Sequence, residues 1–161
     1  MQFVTFFLDN NLFGIDIRIV NNASPNINII PVPLSDEHIT GLINIRGQVV
    51  LVMDIMVILG HKRRQITENS HIVILKTAQS LARIRNMDKE ININVFGDKP
   101  IGLLVDRIGD VVSVREEYIE TPTKNMEKSY AKYLNGIVKL KDQLLTIINP
   151  GRMIRYKTES A

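Results

Sequence analysis

Cysteine and tryptophan are both absent from this 161-residue chain, aromatic residues reach only 6%, and there are just 6 prolines and 9 glycines. Without cysteine there is no disulfide framework, no thiolate nucleophile and no cysteine-ligated metal, a pattern that fits a reducing compartment. So few glycines and prolines exclude a collagen-like or low-complexity chain. No apolar run approaches the roughly 18–20 residues that a membrane-spanning helix requires. The opening Met1–Leu8 lacks the basic leader and small-residue cleavage site of a secretory signal and reads as a first strand. The expected location is cytoplasmic, with no insertion into a membrane.

Catalytic signatures are missing too. No Gly-x-x-x-x-Gly-Lys loop is present to cradle phosphates, no Gly-x-Gly-x-x-Gly follows a strand, and there is no Gly-x-Ser-x-Gly elbow. His38, His61 and His71 have no metal-ligand spacing and are expected on the surface or in loops. Asp9, Asp16, Asp54, Asp106 and Asp110 fall at strand ends and turns, where carboxylates cap backbone N–H groups. The expectation is a protein that is not an enzyme and needs no cofactor.

What is present is an apolar fraction of 45%, enough to offset the ordering entropy of a fold. It is distributed in short Ile- and Val-rich runs suited to a pleated sheet. Strands are expected over 2–8, 12–20, 27–31, 42–45, 48–53, 71–76, 93–96, 101–105, 108–114, 136–141 and 143–148. Asp9-Asn10-Asn11 and Gly97-Asp98-Lys99-Pro100 read as turns closing hairpins. Helix is scarce: Asp54 and Asn149 each look like the cap of one short turn. Residues 78–92 break the strand rhythm as an inserted, partly helical or mobile excursion.

The most informative feature is internal similarity. Gly41–Asp54 lies column by column over Gly136–Asn149, matching Gly41 to Gly136, Arg46 to Lys141, Gln48 to Gln143 and the caps Asp54 to Asn149. A weaker echo sets Phe13–Ile17 over Ile101–Val105. Two copies are too few for a solenoid. They imply two similar small β-barrels, each too small for a generous core alone, packed through continuous apolar surface with a groove between them.

Surfaces then have to supply the function. The run His61-Lys62-Arg63-Arg64 and the sequence pI near 9.2 raise an alternative, a basic β-barrel that binds nucleic acid. A net charge of only +3 and few aromatic platforms make a solvated loop the simpler reading of that run. Tyr118, Tyr130 and Tyr133 could anchor a partner or pack internally.

Taken together, the residues resemble the CheW family of chemotaxis coupling proteins. The resemblance is carried by Phe3–Leu8 with Phe13–Ile17 and by Ile30-Pro31-x-Pro33 followed by Gly41–Val49 with its Asn-x-Arg-Gly turn. Ile101–Val111, Tyr133–Gly136 and Leu145–Asn149 continue it in the family's order. It implies a mainly all-β fold of two SH3-like five-stranded barrels that share a hydrophobic core, with short capping helices. They form a single domain over 1–161, one barrel centred on 12–76 and the other on 93–148, the terminal segments able to cross between them.

The implied role is a non-catalytic adaptor that joins the cytoplasmic tips of chemoreceptors to the regulatory domain of the histidine kinase CheA, recruited to membrane-associated arrays. No nucleic acid is expected. Carried over by motif position, Val20, Gly41, Arg46, Val111 and Gly136 are the candidate partner-binding residues. Each has a structural alternative: backbone geometry for Gly41 and Gly136, core packing for Val20 and Val111, an internal ion pair for Arg46. The chain departs from the family at Asn21-Asn22-Ala23, where an acidic residue is common, at Leu51, where proline is common, and in the length of the 78–92 excursion.

Overall fold

Ile- and Val-rich runs separated by turn residues become ten strands in the computed structural model, which describes residues 1–25, 28–87, 91–122 and 128–156. In order these are β1 (Gln2–Leu8), β2 (Asn11–Asp16), a 3-10 turn (Ile17–Ile19), β3 (Val20–Ser24), β4 (Ile39–Ile45), β5 (Gln48–Asp54) and helix α1 (Ile55–Ile58). Then come β6 (His71–Leu75), α2 (Ala78–Ala82), a second 3-10 turn (Ile93–Phe96), β7 (Ile101–Val105) and β8 (Arg107–Ser113). A third 3-10 turn (Glu116–Tyr118), α3 (Lys128–Ala131), β9 (Leu134–Lys139), β10 (Leu144–Ile148) and α4 (Pro150–Ile154) complete the described elements.

The strands form two five-stranded sheets, ordered β8-β1-β2-β10-β9 and β3-β6-β7-β5-β4. We call the first the terminal barrel and the second the central barrel. Side by side, the orders equate β8 with β3, β1 with β6, β2 with β7, and hairpin β9–β10 with β4–β5. Each barrel has one parallel contact, β10 on β2 and β5 on β7, at the same place in the order. After β3 the chain returns so that Ile30 bridges Leu42 on β4, and after β8 it returns so that Glu120 bridges Ile137 on β9. Both sheet edges are thereby covered in the same way. The sequence echo of Phe13–Ile17 with Ile101–Val105 falls on the equivalent strands β2 and β7.

The barrels are not built from contiguous halves. Residues 12–16, expected in a barrel centred on 12–76, lie in the sheet with β8, β9 and β10, and 101–105, expected with 93–148, lie with β3 to β6. The chain passes between barrels twice, through Ile17–Ile19 and through Asp106. Each crossing puts a whole hairpin or strand set on the far side, so the two sheets interlock.

Alternation sorts the side chains into three cores, because successive residues of a strand face opposite ways. On β6, Ile72 and Ile74 point into the central barrel with Ile43, Val50, Val52 and Leu104. Val73 and Leu75 point out and meet Phe6, Leu8 and Ile15 of the terminal barrel, together with Met53, Leu103 and Val105. Phe3, Leu12, Val138, Leu145 and Ile147 fill the terminal barrel. Strands β6 and β7 are thus buried on both faces, which is why Ile72–Leu75 and Ile101–Val105 read as unbroken apolar runs. Each such side chain contributes roughly 1.5–3 kcal/mol by leaving water.

Several local expectations change. Residues 93–96 are a 3-10 turn rather than a strand, since Phe96 turns inward to the shared core and Gly97, at φ 67, ends the turn. Gly97–Pro100 therefore leads into β7 without closing a hairpin. The expected strand over 12–20 breaks at Asp16, whose carboxylate accepts from Arg18 N at 3.0 Å and opens the crossing turn. The expected strand over 27–31 falls partly outside the described residues and otherwise supplies only the Ile30 bridge. The excursion at 78–92 contains α2 and packs Leu81, Ile84, Met87 and Ile91 on the shared core. His38, expected on the surface or in a loop, lies in the turn before β4 but is buried, its ring edge-on to Tyr156 at 5.0 Å.

Candidate partner-binding surface

The β4–β5 hairpin turns at Arg46 and Gly47, whose φ angles of 52° and 82° are both left-handed. That is the pattern of the two-residue turn that matches strand twist, and Asn44 Oδ1 fixes it by accepting from Gly47 N at 2.9 Å. Glycine adopts the angle freely. For an arginine it costs of order 1–3 kcal/mol. Arg46 is exposed, and among the described residues no carboxylate pairs with it. It lines a shallow depression with Ile45, Gln48 and residues 21–25 of β3 and its end. The equivalent turn of the terminal barrel, at Lys141-Asp142, has no left-handed residue.

Gly41 and Gly136 occupy equivalent places, each under the returning segment that covers the barrel edge. A Cβ on Gly41 would overlap the Ile30 carbonyl and approach Ile29 Cγ2 to 2.7 Å, and its φ of 152° is itself unfavourable for other residues. A Cβ on Gly136 would collide with the Ile119 side chain and lie 3.0 Å from the Glu120 carbonyl oxygen. Their backbone role is therefore visible in the geometry, and both are buried. Val20 opens β3 opposite Leu75 and packs partly on the shared core. Val111, on edge strand β8 opposite Val4, is 53% exposed. Of the five candidates, Arg46 and Val111 present side chains to solvent. They stand on different barrels. Beside each hairpin turn a further apolar side chain is exposed at an equivalent position, Val49 on β5 and Leu144 on β10.

Two capping residues, the carboxylate Asp54 and the amide Asn149, anchor the ends of β5 and β10 away from these turns. Asp54 N donates to His38 O and Asn149 N to Tyr133 O, both at 2.8 Å. Asn149 Oδ1 caps α4 at Arg152 N, and its amide donates to Asn135 Oδ1 at 3.0 Å. Asp54 uses both oxygens as acceptors, from Met56 N at 3.1 Å and from Arg64 N at 2.6 Å. Burial raises the Asp54 carboxyl above its ordinary value, with those N–H donors and the Arg64 charge working against the rise.

Of the basic run 61–64, Arg64 is drawn into an ion cluster while His61, Lys62 and Arg63 stay exposed. Arg64 pairs with Asp9 and with Asp106 Oδ2 at 3.4 Å, and Arg63 Nε donates to Glu37 O at 2.9 Å. Desolvation opposes the Arg64 charge, yet the two carboxylates outweigh it and raise its pKa. Sequence reasoning missed this cluster, whose members are far apart in the chain. A cleft of about 470 Å³ opens at the end of the terminal barrel, lined by Asp16, Asn92, Glu116, Arg152 and Arg155 among others; none of the five candidates borders it. Among the described residues there is no group of three potential metal ligands, and no helix is long and apolar enough to cross a membrane.

Known proteins place this architecture. The chain is similar to the chemotaxis protein CheW of Treponema pallidum, with 24% identity over 160 residues, 97% of this chain and 83% of that one. It is likewise similar to CheW of Bacillus subtilis, 24% identical over 153 residues, covering 95% of this chain and 86% of the other. Among solved structures, the scaffolding protein TtCheW of Thermoanaerobacter tengcongensis superimposes with a TM-score of 0.71 at 26% identity, over 92% of this chain and 83% of that one. The two five-stranded sheets are accordingly of the SH3-like kind. The model of the CheW-like domain matches residues 2–157, and the chain belongs to that family.

Proposed function

We propose that this protein is a chemotaxis adaptor that couples the cytoplasmic tips of chemoreceptors to the regulatory domain of the histidine kinase CheA, acting by binding alone. The observation that carries the reading is Arg46. It is an exposed cation without a carboxylate partner among the described residues, held in a left-handed turn that asparagine or glycine would occupy at lower cost. A strained, unpaired residue on a rigid hairpin is better explained by a contact outside the chain than by folding. Its guanidinium offers a planar fork of donors to an acidic partner surface.

The exposed apolar residues beside the twin turns, Val49 and Leu144, give each barrel an equivalent place for a second contact. Val111 adds apolar surface on the edge of the terminal barrel. An adaptor of this kind changes kinase output only if its contacts differ between the kinase's on and off states.

The test is a calorimetric titration into the isolated CheA regulatory domain and, separately, into receptor cytoplasmic fragments. Saturable binding to both is expected, with Arg46→Glu weakening at least one by about tenfold or more, the loss expected of a charge-assisted contact replaced by repulsion. Absence of saturable heat with either partner at about tens of micromolar would remove the proposal.

A further inference from the structure

We infer that Arg64 is a latch that ties the loop after α1 of the central barrel to the β1–β2 turn of the terminal barrel, across a seam whose overall orientation the shared core sets. It sits on the loop that leaves the central barrel after α1, and its main-chain N–H is tied back to the α1 cap, Asp54 Oδ2, at 2.6 Å. Its guanidinium crosses to the terminal barrel and binds Asp9, in the β1–β2 turn. The same Nη1 reaches Asp106 Oδ2 at 3.4 Å, the residue through which the chain passes from β7 to β8. Asp106 Oδ2 also accepts from Asp9 N at 2.9 Å. One side chain thus joins a helix cap of one barrel, a hairpin turn of the other and a crossing between them.

The loop's other ties are hydrogen bonds near its start, His61 N to Met56 O at 2.8 Å and Arg63 Nε to Glu37 O at 2.9 Å, and it buries little apolar surface. Residues 60–69 are exposed apart from Arg64, and Ile66 keeps 45% of its surface in water. The Arg64 side chain, by contrast, is only 13% exposed, and its Nε is buried with no hydrogen-bond partner. Leaving a buried donor unmatched is unfavourable. The placement persists because two carboxylates on the opposite barrel balance the charge, so the loop is pinned by this cluster and not by apolar packing. The three cores contain none of these residues, so the latch can open while each barrel stays folded.

The test uses the full chain alone, so it fails or succeeds independently of any partner. In Arg64→Met, which keeps an apolar stem, hydrogen exchange at the amides of Asp9 and Arg64 is expected to rise about tenfold or more, with β6 and β7 unchanged. Unchanged exchange at those amides would overturn the latch, as would a uniform rise across all strands. Asp9→Asn, at a half-exposed position, carries the same expectations should Arg64→Met not fold. Combined with Arg64→Met, it should add little further exchange, since both remove one interaction.

Discussion

The two sides of the seam between the barrels solve one problem with opposite chemistry. In the terminal barrel the equivalent hairpin closes in a tight turn at Asp9-Asn10, and ions hold it: Arg64 from the central barrel, Asp106 from the crossing. In the central barrel the corresponding connection is the long stretch 76–100, and it brings its own apolar side chains, Leu81 and Phe96, into the shared core. There the 3-10 turn Ile93–Phe96 packs on α4, the counterpart of α1. Even the crossing residues correspond. Asp106 accepts from the short turn through Asp9 N, and Arg18, its counterpart in the 13–17/101–105 alignment, donates to Asn86 O in the long connection. A two-residue turn has only polar main chain to offer, so it is held by charge; a long connection can be held by burial.

The comparison breaks first at Phe96. Phe96→Ala should cost about 3–5 kcal/mol in urea unfolding, because it leaves a void in a core shared by both barrels. A cost below about 1 kcal/mol would mean that the apolar side of the seam is not supporting the fold. Next come the twin glycines. Gly41→Ala should cost about 2–4 kcal/mol, combining an unfavourable φ with a clash against backbone. Gly136→Ala should cost about 1–3 kcal/mol, because the first atom it meets is a side-chain methyl that can shift. Equal costs would mean that the φ of Gly41 carries no penalty.

The caps sharpen the comparison through pH. Burial holds the Asp54 carboxyl above its ordinary value. Between the ordinary carboxylate range and that raised value, the folded chain retains a proton that the unfolded chain has released. Stability from this group therefore falls as pH rises through that window, and the whole cost is present above it. Measured by denaturant titration, the stability of wild type minus that of Asp54→Asn should fall as pH climbs from about 4. A pH-independent difference would contradict the buried charge. The smallest expected effect is at Arg46: Arg46→Glu should change stability by no more than about 0.5 kcal/mol in thermal unfolding, since it touches no carboxylate in the fold. A larger drop would point to an internal partner.

Much of this was legible in the sequence because duplication leaves columns that align. Gly41 over Gly136 and Asp54 over Asn149 marked the twin hairpins and their caps, and the fainter echo of 13–17 with 101–105 fell on truly equivalent strands. Barrel membership was not legible. A strand's run of isoleucines shows that both faces are buried but not in which sheet, and β2 and β7 exchange sides through crossings at 17–19 and 106. The strand expected over 93–96 failed for the same reason: a short Ile-Asn-Val-Phe stretch reads alike in a 3-10 turn and in a strand, and tertiary packing of Phe96 decided it. Arg46 stood out by its motif. Arg64 was hidden in a charge run that looked solvated, because its partners Asp9 and Asp106 are brought to it only by the interlocked topology.

The most direct measurement is CheA autophosphorylation in receptor-bearing membranes, with and without this protein, in the presence and absence of attractant. Kinase activity that responds to attractant only when the protein is added, and that loses this response with Arg46→Glu, is the expected result. Activity and attractant response that are the same whether or not the protein is present would contradict the adaptor role.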